Sequence, residues 1–206
     1  KKLTLLIAML VAIGGCSNEV SISEDQLVEN EVSISEDQLV ERGGLKYEIN
    51  SQTPFTGSYV DYHENGQLKG KGSFKDGKLN GPAEMYYENG QLSLKGNFKD
   101  QVKHGLIEFY HENGQLDSSG TWKDGKEHGI HESYYENGQL RSKWNYEEGK
   151  VEDGPYEVYQ ENGQLDQKGS IKDGKDDGLK EGYREDGYLF YKKNYKDGKD
   201  DGLEEW

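Results

Sequence analysis

The sequence predicts an all-β fold, an elongated meander of about six tandem β-hairpin repeats, each 24 residues long. Three observations predict it. "HENGQL" at 63–68 returns as "YENGQL" from Tyr87, "HENGQL" from His111, "YENGQL" from Tyr135 and "QENGQL" from Gln160, with a divergent "REDGYL" from Arg184. The first acid of each copy (Glu64, Glu88, Glu112, Glu136, Glu161, Glu185) follows the last in steps of 24, 24, 24, 25 and 24 residues. Fixed chemistry also stands around each acid. Tyrosine lies two residues before it (Tyr62, Tyr86, Tyr110, Tyr134, Tyr159, Tyr183), leucine four after, and a large apolar residue ten after (Phe74, Phe98, Trp122, Tyr146, Ile171, Tyr195).

The chain divides into three parts. Residues 1–15 read as a lipoprotein signal peptide. Lys1 and Lys2 precede eleven mostly apolar residues, Leu3 to Ile13, too few to cross a membrane, which takes about 20 helical residues. Ile13-Gly14-Gly15-Cys16 resembles a bacterial lipobox, which implies lipidation of Cys16 and a place in the bacterial cell envelope. By resemblance to Gram-negative lipoproteins, Ser17 after the cysteine implies the outer membrane, facing the periplasm. Cys16 is the only cysteine, so it has no disulfide partner.

Residues 16–42 hold the lipidated cysteine and an acidic stalk. "NEVSISEDQLVE" occurs at 18–29 and again, letter for letter, at 30–41. Ser23-Glu24-Asp25-Gln26 and Ser35-Glu36-Asp37-Gln38 carry a capping-box pattern, which predicts short helical turns. A mobile tether is the expected role, with a docking helix as the alternative.

Residues 43–206 are the repeat array. Glu-Asn-Gly predicts one hairpin turn per period, with Asn and Gly both suited to positive φ. Asp-Gly at 76–77, 124–125, 173–174 and 197–198 predicts the other. Each period is then strand, turn, strand, turn, which gives about twelve strands. Counting along an unbroken strand puts the leucine and the ten-after residue on one face. Gly72, Gly96, Gly120 and Gly169 leave room for rings to lie across the backbone. The extra residue of the 25-residue step falls in the inter-repeat loop around Glu147–Asp153. Trp206 is placed to cover the final hairpin edge.

A formal charge of -15 weighs against nucleic acid, which needs lysine and arginine patches. No nucleophile elbow, P-loop or dinucleotide fingerprint occurs, so neither an enzyme nor a cofactor nor a small-molecule substrate is expected. His128-Gly129-Ile130-His131 lacks the companions of a zinc site, and the acids at Asp173, Asp176 and Asp177 lack calcium-loop spacing, so no metal is expected. His63 and His111 share a slot with tyrosine and glutamine and read as surface turn residues. Glu84, Glu108, Glu132, Glu157 and Glu181 stand two before the recurrent tyrosines, which predicts a Tyr/Glu ladder on one face. That ladder is the candidate binding surface for a protein partner, and packing between hairpins is its other reading.

The recurring "YYENGQLxxKGxFKDGKxxG" resembles the bacterial variant of the MORN repeat, as in YwqK-type antitoxin proteins. "LVERGGLKYEINSQTPFTG" at 39–57 resembles the segment that leads into the first repeat of lipoprotein members. The resemblance implies a ribbon of β-hairpins that serves as a scaffold, and the antitoxin name implies a protein toxin as partner.

Overall fold

A computed structural model describes residues 33–202. The signal segment 1–15, Cys16, the first copy of the duplicated 12-mer and Trp206 lie outside the described residues. Four short elements come first: β1 (Ile34–Ser35), a 3-10 turn (Glu36–Gln38), β2 (Leu39–Arg42) and β3 (Leu45–Glu48). The array follows with β4 (Gly57–Tyr62), β5 (Leu68–Lys75), β6 (Lys78–Leu79), β7 (Gly81–Tyr86), β8 (Leu92–Lys99) and β9 (Val102–Tyr110). It continues through β10 (Leu116–Lys123), β11 (Lys126–Tyr134), β12 (Leu140–Glu147), β13 (Lys150–Val151), β14 (Gly154–Tyr159) and β15 (Leu165–Lys172). The last elements are β16 (Lys175–Asp176), β17 (Gly178–Tyr183), β18 (Leu189–Lys196) and β19 (Lys199–Asp200). The short pieces β6, β13 and β16 run into β7, β14 and β17 across a kink, so β4 to β18 make twelve passes of an open antiparallel meander. The fold is the expected all-β hairpin array.

The two kinds of turn differ. Asp76, Asp124, Asp173 and Asp197 have φ of 50–51°, and the glycines after them 75–81°, so the Asp-Gly turns are type I′ and match the strand twist. In the Glu-Asn-Gly turns only the glycine takes positive φ, 82° at Gly66. The expectation that asparagine shares it is corrected, because Asn65 has another task. Its Oδ1 accepts from Gln67 N at 2.9 Å, and its Nδ2 donates to Glu88 O, one repeat on, also at 2.9 Å.

That bond recurs from Asn89 to Glu112 O, Asn113 to Glu136 O, Asn137 to Glu161 O and Asn162 to Glu185 O. The slot beside it does parallel work. His63 Nε2 meets Tyr86 O at 2.9 Å, Tyr87 Oη donates to Tyr110 O at 2.7 Å, and His111 Nε2 meets Tyr134 O at 3.1 Å. Tyr135 and Gln160 continue the series to Tyr159 O and Tyr183 O. A carbonyl can only accept, so each histidine carries its proton on Nε2. These half-buried residues are clamps between repeats, which goes beyond the expected surface role. On the opposite edge the backbone does the stacking: Gly125 N donates to Lys103 O and Gly149 N to Glu127 O.

A bulge at the foot of every Glu-Asn-Gly turn changes which face the leucine occupies. Tyr62 pairs with Leu68 but Asp61 with Gly70, so one residue of the second strand is skipped. The same shift stands at Tyr86/Leu92, Tyr110/Leu116, Tyr134/Leu140, Tyr159/Leu165 and Tyr183/Leu189. Leu68 therefore faces with Tyr62, while Phe74 faces the other way with Tyr59. The expected sharing of a face between the leucine and the ten-after residue is corrected for this reason.

The ten-after residues line the packed face. A side chain at Gly169 would stand 2.8 Å from the Tyr156 hydroxyl, so the ring lies over bare backbone as expected. Trp144 replaces the glycine one repeat earlier and stacks on Tyr156, with ring centroids 5.0 Å apart and planes 24° from parallel. The extra residue of the long step falls between Val151 and Gly154, in the expected loop, where Asp153 Oδ1 accepts from Asp173 N at 2.7 Å.

The stalk boundary at 42/43 needs revision. β1 pairs in parallel with β4, and Leu39 is buried with Phe55, Tyr59 and Phe74, with Ile34 and Leu79 packed against them. The capping-box pattern at 35–38 forms the 3-10 turn, with Ser35 N donating to Gln38 Oε1. Ile34 and Leu39 cover the apolar side of the first repeat, which has no preceding repeat to cover it. Residues 33–41 of the second copy of the duplicated 12-mer are thus part of the folded ribbon.

Candidate binding face

Opposite the packed face, each repeat offers the same set of side chains. On β7, β9, β11, β14 and β17, Glu and Tyr alternate at i and i+2 and so point the same way. Tyr86 Oη donates to Glu84 at 2.5 Å, Tyr134 to Glu132 at 2.8 Å, Tyr159 to Glu157 at 2.6 Å and Tyr183 to Glu181 at 2.7 Å. A lysine from the adjoining strand closes several sets: Lys71 to Glu84 at 2.8 Å, Lys143 to Glu132 and Lys168 to Glu181 at 2.9 Å. Tyr62 is different. Val60 stands where the glutamate would be, and its ring is 53% exposed. The other five tyrosines are half-buried.

The electrostatics follow from these contacts. Lys71 and then the Tyr86 hydroxyl hold Glu84 below its usual range, and Lys143 and then Tyr134 do the same for Glu132. At Glu181 the Tyr183 hydroxyl is the larger influence and Lys168 the second. The phenols move up: burial and then the glutamate raise Tyr86 and Tyr134, while at Tyr159 and Tyr183 the glutamate bond comes first. These carboxylates stay ionised as acceptors. Acid catalysis on a glycoside would call for the reverse, a carboxyl pushed up.

Sequence reasoning missed a row of apolar residues on the same face. The residue after the inter-repeat glycine is Pro82, Leu106, Ile130, Pro155 and Leu179 in five successive repeats, two before each glutamate. Leu106, Ile130 and Leu179 are 52%, 47% and 46% exposed. A Gly-apolar dipeptide stands ahead of five of the six recurrent tyrosines, with its apolar residue four before the ring, but nothing in that pattern marks the side chain as exposed. Ile130, Leu140, Pro155, Tyr159 and Leu179 border a groove of about 520 Å³ across three repeats.

Other candidates have different roles. His131 lies on the packed face between Trp122 and Tyr146, with centroids 4.4 and 4.9 Å away. Asp176 accepts from Tyr156 Oη and Lys180, and Asp177 from Asp197 N. Among the described residues, no group of three or more His, Cys, Asp or Glu is placed to hold a metal.

The model of the MORN repeat variant matches residues 55–76, 79–100, 103–124, 127–151 and 152–173. The chain belongs to the MORN repeat variant family. The sixth hairpin, β17 with β18, keeps the repeat's register, bulge and Tyr–Glu bond beyond the last matched stretch. No curated protein matches the chain. The Tyr–Glu face recurs from repeat to repeat along the array.

Proposed function

We propose that this MORN-variant array is a non-catalytic scaffold that binds a protein partner through the Tyr–Glu face, held at the bacterial envelope by a lipid on Cys16. One observation carries the binding reading: tyrosine rings fixed by hydroxyl–carboxylate bonds alternate with an exposed apolar row through five repeats. Rigid aromatic surface with a polar tip binds at low entropic cost. The acidic balance supports a protein over nucleic acid as partner. Neutralising a protein toxin, which the resemblance to antitoxin proteins implies, would be one form of the same act.

The test is cross-linked capture from host envelopes with the full chain as bait, beside a Tyr110→Ala/Tyr134→Ala variant. One dominant protein that the variant fails to hold is the expected result. An identical catch with both baits removes the Tyr–Glu face from the account. For the anchor, Cys16→Ser is expected to move the chain from the membrane to the soluble fraction; retention would overturn lipidation.

A further inference from the structure

We propose that the Tyr–Glu face is a track for a proline-rich segment of the protein partner, extended as a polyproline II helix across the strands with one of its turns on each repeat. This rests on the protein-binding reading above and specifies the chemistry of the ligand.

Equivalent residues on this face are two strands apart, which at ~4.8 Å per strand sets a repeat of roughly 9.6 Å. A polyproline II helix has three residues per turn and rises ~3.1 Å per residue, so the same edge returns every ~9.3 Å. An extended β segment repeats its side-chain row every ~6.7 Å, and an α-helix turns every ~5.4 Å. Both lose register with the ribbon after one repeat, whereas the proline helix holds it over several.

Polyproline II ligands dock in grooves lined by aromatic rings, because the pyrrolidine ring packs flat against them and the helix is already formed in solution. Here each half-buried tyrosine is held by its glutamate, so the ring is oriented before a ligand arrives. Beside it run Leu106, Ile130 and Leu179, exposed, with Pro82 and Pro155 in line. Ile130, Pro155, Tyr159 and Leu179 border a shallow, open groove of about 520 Å³, whose lining also takes in Trp144 and Tyr156.

Within the track Lys71, Lys143 and Lys168 pair with Glu84, Glu132 and Glu181, three of its five glutamates, so its floor is acidic overall. At its margin the turns add Glu64, Glu88, Glu112, Glu136, Glu161 and Glu185, one exposed acid per repeat, none of them in an ion pair among the described residues. A row of single acids at this spacing complements a cation once per turn of the ligand. The recognised pattern is therefore two prolines and a lysine or arginine, repeated.

The test uses the full chain and fluorescently labelled peptides with the repeat Pro-Pro-Lys, of two to five triplets, beside Gly-Ser-Lys peptides of equal length and charge. The expected result is binding that strengthens several-fold with each added proline triplet and at least tenfold weaker binding of the Gly-Ser-Lys series. An Ile130→Lys/Leu179→Lys variant, changed only at exposed positions, should lose at least tenfold while keeping the parent's thermal midpoint. Glu136→Gln/Glu161→Gln should reduce the salt dependence. No binding of the proline series, affinity indifferent to its length, or equal binding of the Gly-Ser-Lys series would overturn the proposal. So would occupancy of the track by a neutral β-linked oligosaccharide that the proline peptides cannot displace. A partner held by the tyrosines in the capture experiment, yet not displaced by proline peptides, would leave the binding reading standing and sink this one alone.

Discussion

The two edges of the ribbon meet the same requirement by different means. On the Asp-Gly edge backbone N–H groups are the donors, the glycine's to a carbonyl of the preceding repeat and, at three turns, the aspartate's to a Thr56, Asp153 or Asp177 side chain. On the Glu-Asn-Gly edge side chains carry it, through asparagine and the clamp residue before the acid. The difference explains where the repeats vary. Backbone stacking tolerates replacement, so Asp100-Gln101 and Glu148-Gly149 stand where Asp-Gly is usual. Side-chain stacking fixes asparagine in five turns but leaves the clamp free to be histidine, tyrosine or glutamine. Each of those reaches a carbonyl with a donor at its tip.

Substitutions can break this contrast. The largest effect is expected from Gly114→Ala on the side-chain edge. Its φ is +84°, and a Cβ there would stand 2.7 Å from Gln91 Oε1. A loss of about 2 kcal/mol, read by thermal or denaturant unfolding, is expected for forcing alanine into this conformation. Next comes Asn113→Asp, which keeps the acceptor for Gln115 N but loses the donor to Glu136 O. About 1 kcal/mol should be lost at neutral pH. The ionised form faces a carbonyl, so the fold raises the new carboxyl's pKa. The deficit is then present above that folded pKa and shrinks as pH falls below it, when the carboxyl can donate again. A deficit unchanged by acid would mean the asparagine acts only through its acceptor.

Gln101→Gly on the backbone edge should have the opposite sign. Gln101 has φ of 74°, which costs a side chain about 1–2 kcal/mol, but its Nε2 also donates to Gly44 O at 2.9 Å. A net gain of about 0.5 kcal/mol is expected, the strain relieved exceeding the exposed hydrogen bond lost. The smallest effect is His111→Tyr, within about 0.5 kcal/mol, since Tyr87 and Tyr135 fill this slot in neighbouring repeats. His111→Leu, which has no donor, should be worse than His111→Tyr. Equal stability of the two would contradict the clamp.

The Tyr–Glu face, unlike either edge, should respond to pH at both ends. Glu84, Glu132 and Glu181 have lowered folded pKa values, so their stabilisation is present above the usual value of 4.5 and is lost as pH falls through the folded ones. Tyr86 and Tyr134 have raised values, so their share is present below 10.0 and is lost as pH rises through the folded ones. Thermal midpoints across this range should fall at both extremes, and Glu132→Gln should flatten the acid limb.

What the sequence revealed depended on how local the determining contact was. The repeat length, the type I′ turns and the place of the extra residue rest on two to four consecutive residues, and all were legible. The leucine's face was not, because counting by twos assumes an unbroken ladder and the bulge at Lys69 skips one residue. Asn65 was assigned by its backbone tolerance, whereas its partner lies 23 residues away. His63 and His111 looked interchangeable with tyrosine for want of a role. They are interchangeable because the role needs only a donor at a given reach. Of the candidate face, the Tyr/Glu alternation could be read directly, but the exposed leucines could not, since apolar residues in strands are usually assigned to the interior.

The cap on the first repeat has a consequence for how this gene can change. Its contacts come from Ile34 and Leu39, within 30–41, and the same twelve letters stand immediately upstream at 18–29. Recombination between the copies that removes one unit, or inserts a third, always leaves an intact unit abutting Arg42 and the first hairpin. The number of residues between Cys16 and Ile34 can therefore change in increments of twelve without altering the contacts that Ile34 and Leu39 make with the first hairpin.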